Sequence, residues 1–212
     1  MARNVCIVGF NQSIEKGITN LREFASRISR KNYKGYNFFT HFYDMEESDI
    51  GFDTYSLIEK QRAHMLIFLQ VKNMKNIRIE TQASNKKYQE TDPNLKKKIR
   101  PLSARKYHSD TSISPDVFDN FKNKFSTNIP MNVLAKIKKT LSFPSVISKN
   151  AGMGDSNKLY YYMLQSVTPE YYVPTIMIHV PSHEFEYDDY VDLIHSIVDN
   201  LEKVEISYGN DD

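Results

Sequence analysis

The sequence predicts an α/β fold of three layers, with helices on both faces of a largely parallel central sheet. Three observations predict it. Short apolar runs rich in β-branched residues alternate along the chain with stretches of helical period. Several of these runs are hydrophobic almost throughout, as strands covered on both faces are. The length, 212 residues, suits one α/β domain.

Residues 4–10 (NVCIVGF) form the first such run and read as a buried strand. Ile18, Leu21, Phe24, Ala25 and Ile28 then recur at helical spacing, with Arg22, Glu23, Arg27 and Arg30 between them, which predicts an amphipathic helix packed on the sheet. Residues 36–43 read as a second strand, 54–62 as a short helix and 64–71 (HMLIFLQV) as a third strand. Residues 77–83 (IRIETQA) begin with period-two alternation, Ile77 and Ile79 on one side and Arg78 and Glu80 on the other. Residues 85–110 have no clean period and read as a long basic loop. Ser114 and Pro115 offer a cap and a first-turn proline for a short helix through Val117, Phe118, Phe121 and Phe125. A stronger helix spans 130–141, with Val133, Leu134, Ile137 and Leu141 on one face. A brief strand at 145–148, a helix at 155–167, a strand at 173–180 and a terminal helix at 187–201 complete the series. No internal repeat or interior linker interrupts it, so one domain, 1–212, is expected.

Composition narrows the function classes. A formal net charge of +2 argues against binding nucleic acid or an acidic membrane by bulk electrostatics. The longest apolar stretch, 65–69, is far too short to span a bilayer. Cys6 is the sole cysteine, which excludes an intramolecular disulfide framework; on a buried strand it reads as a small hydrophobe. No signal-peptide pattern precedes the first strand, so a reducing, cytoplasmic location is the expectation. His183 with Glu184 and Glu186 matches no strong zinc spacing, and neither a metal nor a cofactor is expected.

Three polar groups sit where the hydrophobic pattern does not ask for them. Glu80 lies at the end of a strand-like run, His179 ends the strand PTIMIHVP, and Ser156 opens a helix after the small pair Ala151 and Gly152. Singly, each has a plain explanation: a wet-face carboxylate, a solvated imidazole, an N-cap serine. Together, a carboxylate, an imidazole and a hydroxyl at the ends of neighbouring elements can form an orienter, a base and a nucleophile.

The surrounding motifs resemble those of the pyroglutamyl-peptidase I family. Residues 148–164 (SKNAGMGDSNKLYYYML) are similar to its nucleophile motif, A-G-x-Y-L-C followed by Asn or Asp and, four residues on, Tyr. Ala151, Gly152, Asn157 and Tyr161 match, while Gly154, Asp155 and Ser156 replace Tyr-Leu-Cys. IMIHVP (176–181) resembles its histidine strand, and IRIETQASN (77–85) its glutamate motif. Asn85, Lys86 and Tyr88 echo the N-K-x-Y continuation of animal-type members, residues 127–152 follow the lead-in helix and strand, and CIVGF (6–10) resembles the V-T-G-F start. The resemblance implies catalytic roles for Glu80, Ser156 and His179, a substrate-binding role for Phe10 and peptides with an N-terminal pyroglutamate as substrates.

The departures alter the implied chemistry. A cysteine attacks as a thiolate, whose parent thiol has a pKa of about 8.5, whereas a serine hydroxyl is far more basic and must lose its proton during attack. Asp155 puts a carboxylate beside the place where an oxyanion would form. Gln12 and Ser13 replace the Pro and second Phe of the family's G-F-x-P-F start, which removes one wall of an aromatic clamp around Phe10. Three readings follow: a family member of weak or lost peptidase activity, a working hydrolase using Ser156, and a protein whose Lys-rich loop binds an acidic partner.

Overall fold

The computed structural model describes residues 3–11, 16–44, 50–84, 87–89, 98–100, 124–152, 155–166, 173–182 and 185–208. The first run forms β1 (Arg3–Asn11), and the amphipathic stretch after it α1 (Lys16–Ile28). A short β2 (Asn32–Tyr33) turns through Lys34 and Gly35 into β3 (Tyr36–Asp44). Next come α2 (Ile50–Gln61), which starts four residues before the expected helix, and β4 (Met65–Lys72).

The stretch expected as one strand over 77–83 divides. β5 (Ile77–Glu80) belongs to the principal sheet, and β6 (Gln82–Ser84) pairs elsewhere with β9 (Lys124–Ser126). Phe125 therefore lies on a strand rather than on the expected helix, because its ring packs edge-on against Tyr161 once β9 is paired with β6. The cap and proline at 114–115 lie outside the described residues. So does most of the basic loop, of which β7 (Lys87–Gln89) and β8 (Lys98–Arg100) form an antiparallel pair. The remaining elements start within two residues of where periodicity put them: α3 (Met131–Thr140), β10 (Ser145–Ser148), α4 (Asp155–Ser166), β11 (Thr175–Pro181) and α5 (Tyr187–Tyr208), the last running on past its expected end at 201.

The principal sheet has seven strands in the order β10-β5-β11-β4-β1-β3-β2. Four central strands, β11, β4, β1 and β3, run parallel; β5 is antiparallel to β11 and carries β10 parallel to itself at one edge, and β2 is antiparallel to β3 at the other. Side chains alternate across the sheet and bury two cores. One holds Val5, Ile7, Ile67, Ile79, Ile176 and Ile178 against α1, α3 and α5. The other holds Cys6, Val8, Phe10, Leu66, Phe68 and Met177 against α2 and α4. This is the α/β/α layering expected, and burial on both faces explains why β4 and β11 read as unbroken apolar runs. Cys6 is fully buried and its thiol is pushed up to about 12 by that burial, which suits a packing role.

The order also positions a site. From β1 the chain crosses over α1 to β3 on one side, and from β3 over α2, on the opposite face, to β4 on the other side of β1. The connections thus change face between β1 and β4, and open sheets of this kind bind ligands in the crevice at such a switch.

Candidate active site

Glu80 and His179 come from strands that run antiparallel, and the register brings them together. Met177 stands opposite Glu80 and Arg78 opposite His179. Alternation places Arg78, Glu80, Met177 and His179 on the face packed by α2 and α4, since Ile77, Ile79, Ile176 and Ile178 occupy the other core. Glu80 and His179 are diagonal neighbours, within reach of each other. Nδ1 of His179 lies 3.1 Å from Oε1 of Glu80, with the two residues 2% and 0% exposed.

The electrostatics favour one protonation state. Burial pushes the Glu80 carboxyl up, but the His179 hydrogen bond, the neighbouring Ser148 hydroxyl and the Arg78 charge together hold it below the ordinary value. Burial pulls His179 down, and the charges of Lys72 and Arg78 add to that against the opposing pull of Glu80. Near neutral pH the pair is a carboxylate beside a neutral imidazole. Nδ1–H then donates to Glu80, which fixes the tautomer and leaves a lone pair on Nε2. Nε2 is buried and has no hydrogen-bond partner among the described residues. It is a base without a proton donor.

Ser156 is the second residue of α4 and is 5% exposed. Its hydroxyl makes no hydrogen bond to His179, because Nδ1 is taken by Glu80 and Nε2 has no partner. The bond expected of a nucleophile–base pair is therefore not present in this state. The helix start is nonetheless tied firmly to the glutamate strand. Asn157 is fully buried; its Oδ1 accepts the Ser84 N–H at 2.8 Å and its Nδ2 donates to the Ser84 carbonyl at 2.7 Å. The Tyr160 hydroxyl donates to the Glu80 carbonyl at 2.9 Å. The approach to α4 is shaped by Gly152, whose φ of +90° suits glycine and whose N–H donates to Asn150 Oδ1 at 3.0 Å. Gly154, Gln12 and Ser13 lie outside the described residues, as do His183 and Glu184.

Phe10 is near the carboxyl end of β1, on the same sheet face as His179. It is 4% exposed and packs edge-on against Phe68, with centroids 6.0 Å apart. Sequence reading passed over one further residue here, Gln70, and gave Asn157 only as a motif match. Gln70 stands opposite His179 in the β4–β11 register and is 5% exposed, and its buried Oε1 has no hydrogen-bond partner among the described residues. An unpartnered buried amide oxygen is costly and points to a missing donor. Its signal was legible, as the one polar residue inside LIFLQV. Asn157 offered only its place in a motif, and its clamp on Ser84 needed the fold.

No protein-family model and no curated protein sequence matches the chain. Solved structures do match. A mutant pyrrolidone carboxyl peptidase from the hyperthermophile Pyrococcus furiosus superposes with a TM-score of 0.70 at 17% identity, covering 93% of this chain and 97% of that one. The pyrrolidone carboxyl peptidase from Thermococcus litoralis superposes with a TM-score of 0.72 at 16% identity, covering 97% of this chain and 96% of that one. At such identities the likeness shows a shared fold, and it extends over nearly the full length of both chains.

Proposed function

We propose that the chain, as a single domain, is a pyroglutamyl-peptidase-like protein whose peptidase activity is weak or lost. Pyrrolidone carboxylate is pyroglutamate, so the fold likeness and the sequence motifs point to the same reaction class. The observation that carries the reading is the buried Glu80–His179 pair, with Nδ1 held at 3.1 Å and Nε2 left without a partner. Such a pair is the orienter and base of a covalent hydrolase. His179 would take the nucleophile's proton and return it to the leaving amine, and the start of α4 would favour the oxyanion. Ser156 weakens this scheme because its hydroxyl proton must be removed during attack and no bond to His179 prepares for it.

The retained pair also supports a second reading, a working hydrolase in which substrate closure brings Ser156 Oγ to Nε2. Apo geometry does not exclude that, since catalytic hydrogen bonds often tighten only with substrate bound. Hydrolysis of a pyroglutamyl-coumarin substrate separates the two. The expected result is little or no turnover, and partial turnover in Ser156→Cys because Gly154, Asp155 and Ser13 are unchanged. Robust hydrolysis that disappears in Ser156→Ala establishes the second reading. The Lys-rich loop as a site for an acidic partner ranks third; loss of a salt-sensitive partner when Lys96, Lys97 and Lys98 become Glu would support it.

A further inference from the structure

Arg78 is the remaining charged group of β5 on the site face, and it stands directly across from His179. Its Nη2 donates to Ser148 Oγ at 2.7 Å and to the Asn150 carbonyl at 3.3 Å, so the guanidinium is anchored to the segment between β10 and α4. Its Nε lies 3.1 Å from Oε1 of Glu80, the same oxygen that His179 contacts. That approach is close enough for an ion pair but is not aligned as a hydrogen bond, so its effect is mainly coulombic.

A buried carboxylate needs a compensating charge. His179 could supply it by becoming imidazolium, but Nε2 would then carry a proton and could not act as a base. Arg78 supplies that charge instead. A cation directly across the strand pair also disfavours a second cation at His179. Among the described residues, the other groups facing the imidazole are Lys72 from β4 and Glu80 from β5; Ser156, Asn157 and Tyr160 from α4 are uncharged near neutral pH.

We propose that Arg78 is a positioning residue, which holds the Glu80 carboxylate against His179 Nδ1 and keeps the imidazole neutral with Nε2 free to accept a proton. The inference rests on reading Glu80 and His179 as the acid–base pair of the site. It is tested without turnover, by NMR titration of the histidine C2–H signals of the full chain, with His179 identified by its loss in His179→Gln. The His179 midpoint is expected to rise in Arg78→Met and to rise less in Arg78→Lys, which keeps the charge and loses the fork. An unchanged or lowered midpoint in Arg78→Met overturns the proposal. Should that variant fail to fold, Arg78→Gln, which removes the charge and keeps a polar side chain, decides, and a midpoint equal to or below that of the parent protein overturns it. A merely structural arginine would change stability and leave the midpoint where it was. A protein with robust peptidase activity whose midpoint still rises sinks the reading of weak or lost activity alone; one with little or no turnover whose midpoint stays put sinks this inference alone.

Discussion

At the scale of single residues, the site is a set of buried polar atoms of which some are satisfied and some wait. Asn157 belongs to the first group. Its amide imitates a strand partner, giving Ser84 one acceptor and one donor, at 2.8 and 2.7 Å. Asn157→Ala leaves both Ser84 groups unpaired in a part-buried setting and is expected to cost about 2 kcal/mol. Asn157→Asp keeps the acceptor and should recover part of that. Urea unfolding midpoints measured on the three proteins check the order, and an alanine variant as stable as the parent contradicts it. The waiting atoms, Nε2 of His179, Oε2 of Glu80 and Oε1 of Gln70, lie on adjacent strands on one face of the sheet. Unpartnered buried atoms also occur elsewhere, at Gln165, Tyr187 and Tyr190, so the convergence of these three on a carboxylate–imidazole pair, and not their number, marks a candidate site.

At the scale of elements, two glycines show different reasons for the same residue. A Cβ on Gly9 would stand 2.6 Å from the Leu69 carbonyl oxygen and 2.8 Å from Phe42 Cε1, so β1 can lie between β3 and β4 only without one. Gly9→Ala is expected to destabilise by about 1–3 kcal/mol through overpacking. Gly152 has open space around its Cβ position and a φ of +90°, so Gly152→Ala strains the backbone and clashes with nothing, at roughly 1–2 kcal/mol. The two are told apart by Asn, which tolerates positive φ: Gly152→Asn should recover stability and Gly9→Asn should not. Thermal midpoints are the measurement, and recovery at Gly9 would refute the steric account. The elements themselves were largely readable because apolar spacing is local. Where reading failed, a partner distant in sequence decided. Phe125 became a strand residue through Ala83 and Tyr161, and IRIETQA broke after Glu80 because Thr81 turns aside to bond Ser148 and Thr127.

At the scale of the whole molecule, the buried pair couples stability to pH. Both groups have folded values below their ordinary ones of 6.5 for His179 and 4.5 for Glu80. A depressed value means that the unfolded chain binds the proton first, so the stabilisation is present above the ordinary value and is lost as pH falls through the folded one. Acidification from pH 7 should therefore erode stability first below about 6.5, through His179, and again below about 4.5, through Glu80. Denaturant unfolding across that range should show both losses, and His179→Gln should reduce the first, leaving the part contributed by His195, which burial also holds below its ordinary value. A variant whose loss between pH 6.5 and 5 is undiminished would mean that His179 contributes nothing there. The buried setting sets the size of the effect, since protonation gives His179 a charge, and takes from Glu80 the charge that answers Arg78, where water cannot follow.

The sequence by itself determined the layers, the order of the main strands and helices, and the candidates Glu80, Ser156 and His179. Those depend on local period, burial and a few motif residues, all of which a chain displays in one dimension. Only the tertiary structure decided that Glu80 and His179 share a hydrogen bond while Ser156 does not join it, that Arg78 faces the imidazole, and that Gln70 and Asn157 belong to the same neighbourhood. The facts about Glu80, His179, Arg78 and Gln70 are matters of strand register, and those about Ser156 and Asn157 of how α4 docks on the sheet. A register pairs residues about a hundred positions apart, and a shift of one residue would send a strand's side chains to the opposite core.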